Sequence, residues 1–192
     1  MLPLAYVERI LAHHAAPCLA GIKPANLVSF AGTDPHWCTA YNAVCNASDV
    51  YFTPLCICRQ RTLVLVYRKQ LLTGSFFTRN VANILQSFGY NPEKGVEVCI
   101  EKLKERIIAC KTSGYEKAAF PHEIGFFLGY PFDDVLQYIK REGKECLFCG
   151  YWKVYSNPEY AKKIFRRYTE CKEHFALQIK NGMSISEIIH AA

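Results

Sequence analysis

The sequence predicts an α+β fold: a single globular domain over 1–192, with a small mixed sheet of about four to five strands packed by about seven to eight helices. Three observations lead there. Strand-length runs of β-branched and aromatic residues cluster early, at Val50–Cys58 and Thr62–Tyr67, and again late, within Lys144–Tyr155. Longer segments around them carry apolar residues at helical spacing. The 192 residues are 51% apolar and 14% aromatic, with no low-complexity tract. A domain of that size buries roughly 70% of the surface its unfolded chain exposes.

Taken in order, Tyr6–Ala15 places Val7, Ile10, Leu11 and His14 on one helix face, and Pro17 stops it. Gly21 and Pro24 punctuate a turn before a short buried strand, Asn26–Phe30. Asp34-Pro35 opens a helix to Asn46, since Asp caps well and Pro suits the first turn. Arg59-Gln60-Arg61 joins the two early strands into a hairpin. Arg68–Thr73 is a short helix that Gly74-Ser75 breaks, and Ser75 caps the next one, to Phe88. After a turn at Gly89–Pro92, Glu93–Lys111 is amphipathic, with Val96, Ile100, Leu103 and Ile107 on one stripe. Two helices follow, about Pro121–Leu128 and Asp133–Arg141. Lys144–Tyr155 reads as one or two strands. Ser156, with Glu159 three residues later, forms a capping box for the last long helix, to about Lys180. Gly182 ends it, and the tail is expected to fray from about 183.

The net charge of +6, from 23 basic and 17 acidic residues, is mildly basic. It favours an anionic small-molecule or cofactor ligand, while the even spread of the basic residues disfavours nucleic acid. Glu8 and Arg9 interrupt the N-terminal apolar run, and no stretch approaches the roughly 18 apolar residues of a membrane span. The expectation is a cytoplasmic protein with no membrane partner. Its ten cysteines are then reduced thiols, most of them small buried apolar residues.

Three segments carry a resemblance. They are His14–Leu27 (His-Ala-Ala-Pro-Cys-Leu-Ala-Gly-Ile-Lys-Pro-Ala-Asn-Leu), Leu63–Arg68 (Leu-Val-Leu-Val-Tyr-Arg) and Phe120–Pro131, which continues into Cys149–Tyr155. Together they resemble the domain-of-unknown-function family numbered 3793, found in clostridia and related anaerobic Firmicutes. The resemblance covers nearly the whole chain, and Phe120–Tyr155 is its most specific part. It implies an iron-, haem- or redox-linked role, in genomic company with flavodoxins, and brings no catalytic residues with it. Haem or flavin is the cofactor it favours, ahead of an Fe–S cluster or zinc. The four cysteines between Cys38 and Cys58 are not a hallmark of the family.

Candidate chemistry gathers at a few positions. His122-Glu123 opens a helix, where the dipole keeps an imidazole neutral and fit for acid–base work; a capping role is the alternative. On a continuous strand, Cys149, Tyr151, Lys153 and Tyr155 share one face, suited to stacking a planar ligand and pairing with its acidic groups. Trp152 and Val154 then face the core. His14, Lys23 and Arg68 stand at element ends, where basic side chains take a carboxylate or phosphate unless they are merely solvated. His122, Glu123 and Lys153 are the candidate catalytic groups; His14, Lys23, Arg68, Cys149, Tyr151 and Tyr155 are the candidate cofactor-binding ones. Cys146-x-x-Cys149 supplies two thiols where a tetrahedral metal needs four ligands, and Cys38, Cys45, Cys56 and Cys58 match no known metal spacing. We expect no metal site. There is no glycine-rich phosphate loop, G-x-S-x-G or H-E-x-x-H.

The leading expectation is a ligand- or cofactor-binding protein, with its status as an enzyme left open. One alternative is a helix-turn-helix over Glu123–Tyr138, although Asp133-Asp134 at the head of its second helix would repel phosphates. The other is a non-catalytic adaptor for a redox protein such as flavodoxin. The leading reading gathers His14, Lys23, Arg68, His122, Glu123, Tyr151 and Lys153 around one pocket, where the start of the His122 helix and the Cys149–Tyr155 ribbon converge.

Overall fold

A computed structural model describes residues 2–76, 78–112 and 120–191. The described elements are, in chain order, α1 (Leu4–His14), α2 (Ala16–Leu19), β1 (Ala25–Ala31), α3 (His36–Cys45), β2 (Val50–Cys58), β3 (Arg61–Arg68), α4 (Lys69–Phe76), α5 (Arg79–Ser87), α6 (Val96–Thr112), α7 (Ile124–Phe127), α8 (Phe132–Lys140), β4 (Phe148–Cys149), β5 (Lys153–Val154), α9 (Pro158–Lys180) and α10 (Ile185–Ala191). Short 3-10 turns occupy Asn46–Ser48 and Pro92–Lys94. The fold is α+β, as its composition and patterning predict. Its strands fall into two separate antiparallel ladders. The chain also divides into two compact units, Met1–Leu71 with Tyr168–Ala192, and Leu72–Arg167. No helix among the described residues is long and apolar enough to cross a membrane.

The first unit is built on the sheet β1-β3-β2. Antiparallel pairing sets Leu27 opposite Leu65 and Phe52 opposite Val66, with a register shift between Pro54 and Cys56. The hairpin link is Arg59-Gln60, both left-handed at φ 47° and 60°. That two-residue turn matches the right-handed twist of the strands, although neither residue is the usual Gly or Asn. Val28, Phe30, Val50, Phe52, Val64 and Val66 alternate onto one face and join Val7, Leu11, Trp37, Phe175 and Ile185 in one core. The Trp37 ring lies 4.4 Å from Phe30 and 5.9 Å from Phe52. Glu8, buried beside them, accepts the Tyr41 hydroxyl proton and the Ile185 N–H.

The second unit holds α5 to α8, the β4–β5 ribbon and the first ten residues of α9. The stripe Val96, Ile100, Leu103 and Ile107 of α6 is buried as its periodicity predicts. Phe127 meets Phe76 at 4.8 Å and Tyr90 at 5.5 Å. Gly125 lies against Val135, close enough that a Cβ would touch Val135 Cγ2 at 2.8 Å. The α7–α8 pair is therefore a tightly packed helical hairpin, with Asp134 and Val135 of its second helix buried.

Four local expectations change. Gly74 and Ser75 do not break a helix: α4 runs through them, and Ser75 Oγ donates to the Leu72 carbonyl. The cap of α9 is Asn157, whose Oδ1 accepts the Tyr160 N–H at 3.0 Å, because Ser156 turns its hydroxyl to Asp134 instead. The residues beyond Gly182 form α10, which buries Ile185, Ile188 and Ile189 in the first unit's core. Ser184 and Glu187 close its start, with Ser184 N donating to Glu187 at 2.7 Å and Glu187 N to Ser184 Oγ at 3.3 Å. Finally, Cys149–Tyr155 is not one strand. Cys149 pairs with Lys153 and Phe148 with Val154 across a tight hairpin.

Candidate functional site

In the second unit, His122 precedes a helix of only four residues. A single turn carries little dipole, so the cause expected from the sequence is not the one at work. Partial burial lowers the His122 pKa, opposed by the neighbouring Glu123 carboxylate. The imidazole is neutral at pH 7 all the same. Its ring sits 5.6 Å from Phe120 and 5.0 Å from Tyr138.

Lys153 reaches the same ring. Its Nζ stands 5.9 Å from the Tyr138 centroid and donates to the Gly143 carbonyl at 2.6 Å. The hairpin turn keeps Lys153 on the face of Cys149, which is exposed. His122 and Lys153, separated by about thirty residues of chain, each approach the ring of the same tyrosine. In the sequence Tyr138 stands out only as an apolar position at the end of the helix-turn-helix alternative, with no sign of a binding role. Its place on α8, one turn after Asp134, is the only local hint.

Tyr155 completes the group. Its phenol oxygen is buried and has no hydrogen-bond partner among the described residues. Partial burial raises its pKa, with Cys146, Tyr138 and Asp134 adding to the rise and Arg141 opposing it. Arg141 stands over the Tyr155 ring at 5.8 Å. Tyr151, by contrast, occupies the hairpin turn and packs on Phe165 at 5.4 Å.

Glu123 turns inward. It is 2% exposed, and its Oε1 accepts both the Tyr90 hydroxyl at 2.8 Å and the Arg106 Nε–H at 2.6 Å. Two charge-assisted bonds fix it in place, so its part here is to set the backbone of His122. Asp134, equally buried, accepts from Trp152 Nε1, Tyr155 N, Ser156 N and Ser156 Oγ. That carboxylate anchors the ribbon that carries Lys153 and Tyr155.

The other three candidates lie in the first unit. Arg68 gives Nε to the Cys18 carbonyl, Nη1 to that of Ser48 and Nη2 to that of Leu19, so it tethers the end of α2 to the sheet. Lys23 is 3% exposed, with Nζ 5.7 Å from the Tyr168 ring. Burial lowers its pKa to about 8, and Cys18 draws it back up. Burial raises the Cys18 thiol to about 12, while Arg68 and Lys23 oppose the rise; Cys18 Sγ donates to the Val66 carbonyl at 3.4 Å. His14 is exposed at the end of α1, edge-on to His13 at 4.6 Å. Burial, then His13, then Lys172 lower its pKa.

The cysteines are all free. Burial raises Cys38 to about 12 and Cys45 to about 11, which keeps both protonated at neutral pH. Among the described residues, no group of three or more His, Cys, Asp or Glu side chains is placed to share a metal ion.

The model of the family described as "Protein of unknown function (DUF3793)" matches residues 11–189, from the end of α1 into α10. The chain belongs to this family. The resemblance read from His14–Leu27, Leu63–Arg68 and Phe120–Tyr155 is thereby shown over nearly the full length. No curated protein matches the chain, and no solved structure matches it.

Proposed function

We propose that this DUF3793 protein binds a small planar anion against Tyr138 in its second unit. The observation that carries this reading is the approach of both His122 and Lys153 to the Tyr138 ring, with the unpartnered hydroxyl of Tyr155 in electrostatic reach of the same tyrosine. An aromatic face offers stacking area; Lys153 and Arg141 supply positive charge for a carboxylate or phosphate. The Tyr155 hydroxyl supplies a donor whose burial otherwise goes uncompensated. His122 gives a neutral imidazole, able to accept a bond from a ligand or to ligate a metal centre that the ligand carries.

Haem and flavin mononucleotide both fit this chemistry, being flat, aromatic and anionic. Either would give the chain the iron- or redox-linked role that its family resemblance implies.

The test is titration of the anaerobically purified chain with haem and with flavin mononucleotide, followed by absorbance and by flavin fluorescence. Saturable binding of one of them is expected. Tyr138→Ala and Lys153→Ala should each weaken it by about tenfold, the scale of one lost charge-assisted or stacking contact. Wild-type chain that binds neither probe, or variants that bind as well as wild type, would overturn the reading.

A further inference from the structure

The first unit contains a second feature, unrelated to Tyr138. An open groove of about 670 Å³ runs along α1 and the last turns of α9, lined by Ala5, Arg9, Ile10, Ala12, His13, Ala176, Ile179 and Lys180. Its volume lies in the range of small-molecule sites, about 300–1,000 Å³. Most of its wall is alkyl carbon: three alanines and two isoleucines form the floor.

The polar groups of the lining are all basic. Arg9 and Lys180 carry full charges, and neither has an ion pair or hydrogen bond among the described residues. Glu8, next to Arg9 in sequence, is turned into the core, where it accepts from Tyr41 and Ile185. The carbonyls at the end of α9 would offset the charge of Lys180 if they were open, but three of the last four are closed. Asn181 N bonds Leu177 O at 3.0 Å, Gly182 N bonds Ile179 O at 3.0 Å, and Met183 N bonds Gln178 O at 3.1 Å, with Gly182 at φ +90°. An apolar trough therefore carries two cations that nothing in the described chain neutralises.

We propose that this groove binds the monoanion of an aliphatic acid. The hydrocarbon chain lies on Ile10, Ala12 and Ile179, and the carboxylate meets Arg9 and Lys180. Burial of the alkyl chain supplies most of the driving force, and the cations set the preference for an acid over its neutral or cationic counterparts. The site is independent of the Tyr138 reading, and either can stand without the other.

The experiment is titration of the full chain with decanoate, decanol and decyltrimethylammonium below the concentrations at which they self-associate. Heat is recorded together with the methyl NMR signals of Ile10, Ile179 and Ile124. Decanoate should bind at least about tenfold more tightly than either analogue, and shift Ile10 and Ile179 while leaving Ile124 in place. Arg9→Gln with Lys180→Gln, both on the exposed surface, should reduce decanoate affinity by about tenfold or more with little change in melting temperature. Ala176→Trp, which fills the groove from its rim, should abolish binding. Equal affinity for all three probes, no binding of decanoate, or binding that survives both sets of substitutions would overturn the proposal.

Discussion

Asp134 receives the indole N–H of Trp152 at 2.7 Å, with both side chains buried, and its other oxygen takes three more donors from Tyr155 and Ser156. One carboxylate in the first turn of α8 thus holds the β4–β5 hairpin and the approach to α9. Asp134→Ala strands four donors at once. The expected loss is about 3 kcal/mol, since each unmet buried donor costs about 1–3 kcal/mol and some regain water. Asp134→Asn keeps the shape but turns an N–H₂ toward donors, and should cost less than the alanine. Urea unfolding followed by Trp fluorescence measures both. An alanine variant within about 0.5 kcal/mol of wild type would refute the anchoring role.

Glu123 and its two partners form the other buried charge cluster of that unit. Tyr90 and Arg106 donate to the same Oε1, and burial followed by the Glu123 carboxylate raises the Tyr90 phenol above its ordinary range. Such groups act as a unit. A double-mutant cycle of Tyr90→Phe and Glu123→Gln should therefore give a coupling energy of about 1 kcal/mol. Arg106 is a third exposed, so solvent screens part of its ion pair and the tyrosine carries the larger share of the coupling. Strictly additive single effects would refute this.

These two clusters show where the sequence was readable and where it was not. Periodicity placed the α6 stripe and the early hairpin, because each depends on neighbours close in the chain. His122 and Lys153 are candidates from an element end, a strand face and the family resemblance, and the structure brings each to the ring of Tyr138. The sequence pattern gave Tyr138 only a packing position in the helix-turn-helix alternative, because nothing local to α8 shows that His122 and Lys153 come to its ring. Ser156 and Asn157 show the limit more sharply. Both are good caps, and only the position of Asp134, 22 residues upstream, decides that Asn157 caps α9. Lys23 and Arg68 read as surface cations at loop ends; long-range packing buries the first and joins the second to three carbonyls. The tail beyond Gly182 looked free because the partners of Ile185 and Ile188 lie at the other end of the sequence.

The ten thiols divide by environment, and their reactivity should follow. Cys149 is exposed on the hairpin, whereas Cys18 and Cys38 are buried and pushed up to about 12. Only the thiolate attacks a disulfide reagent. Native protein at pH 8 should show a fast phase of one thiol that Cys149→Ser removes, with all ten reacting in denaturant. A fast phase unaffected by Cys149→Ser would show that another cysteine is the accessible one.

Lys23 gives the clearest dependence on pH. In the unfolded chain its ammonium holds its proton up to the ordinary value of 10.5; in the fold, burial lowers that to about 8. Between those values the unfolded state binds more protons than the native one, so this residue makes stability rise with pH. Below about pH 8 the native fold holds the charged form less readily than the unfolded chain does, by on the order of 3 kcal/mol for a shift of that size. Its contact with the Tyr168 ring recovers part of this. Lys23→Met, similar in length and apolar, should therefore be more stable than wild type at pH 7. Its advantage should shrink steadily from pH 8 to 10.5. Comparing the two chains at each pH removes most of the opposing effect of the buried thiols, whose raised pKa values make the fold weaker above about pH 9 in both. Urea midpoints and slopes across that range provide the measurement. An advantage that stays constant from pH 7 to 10.5, or a variant that is less stable at pH 7, would show that burial does not move the pKa of Lys23.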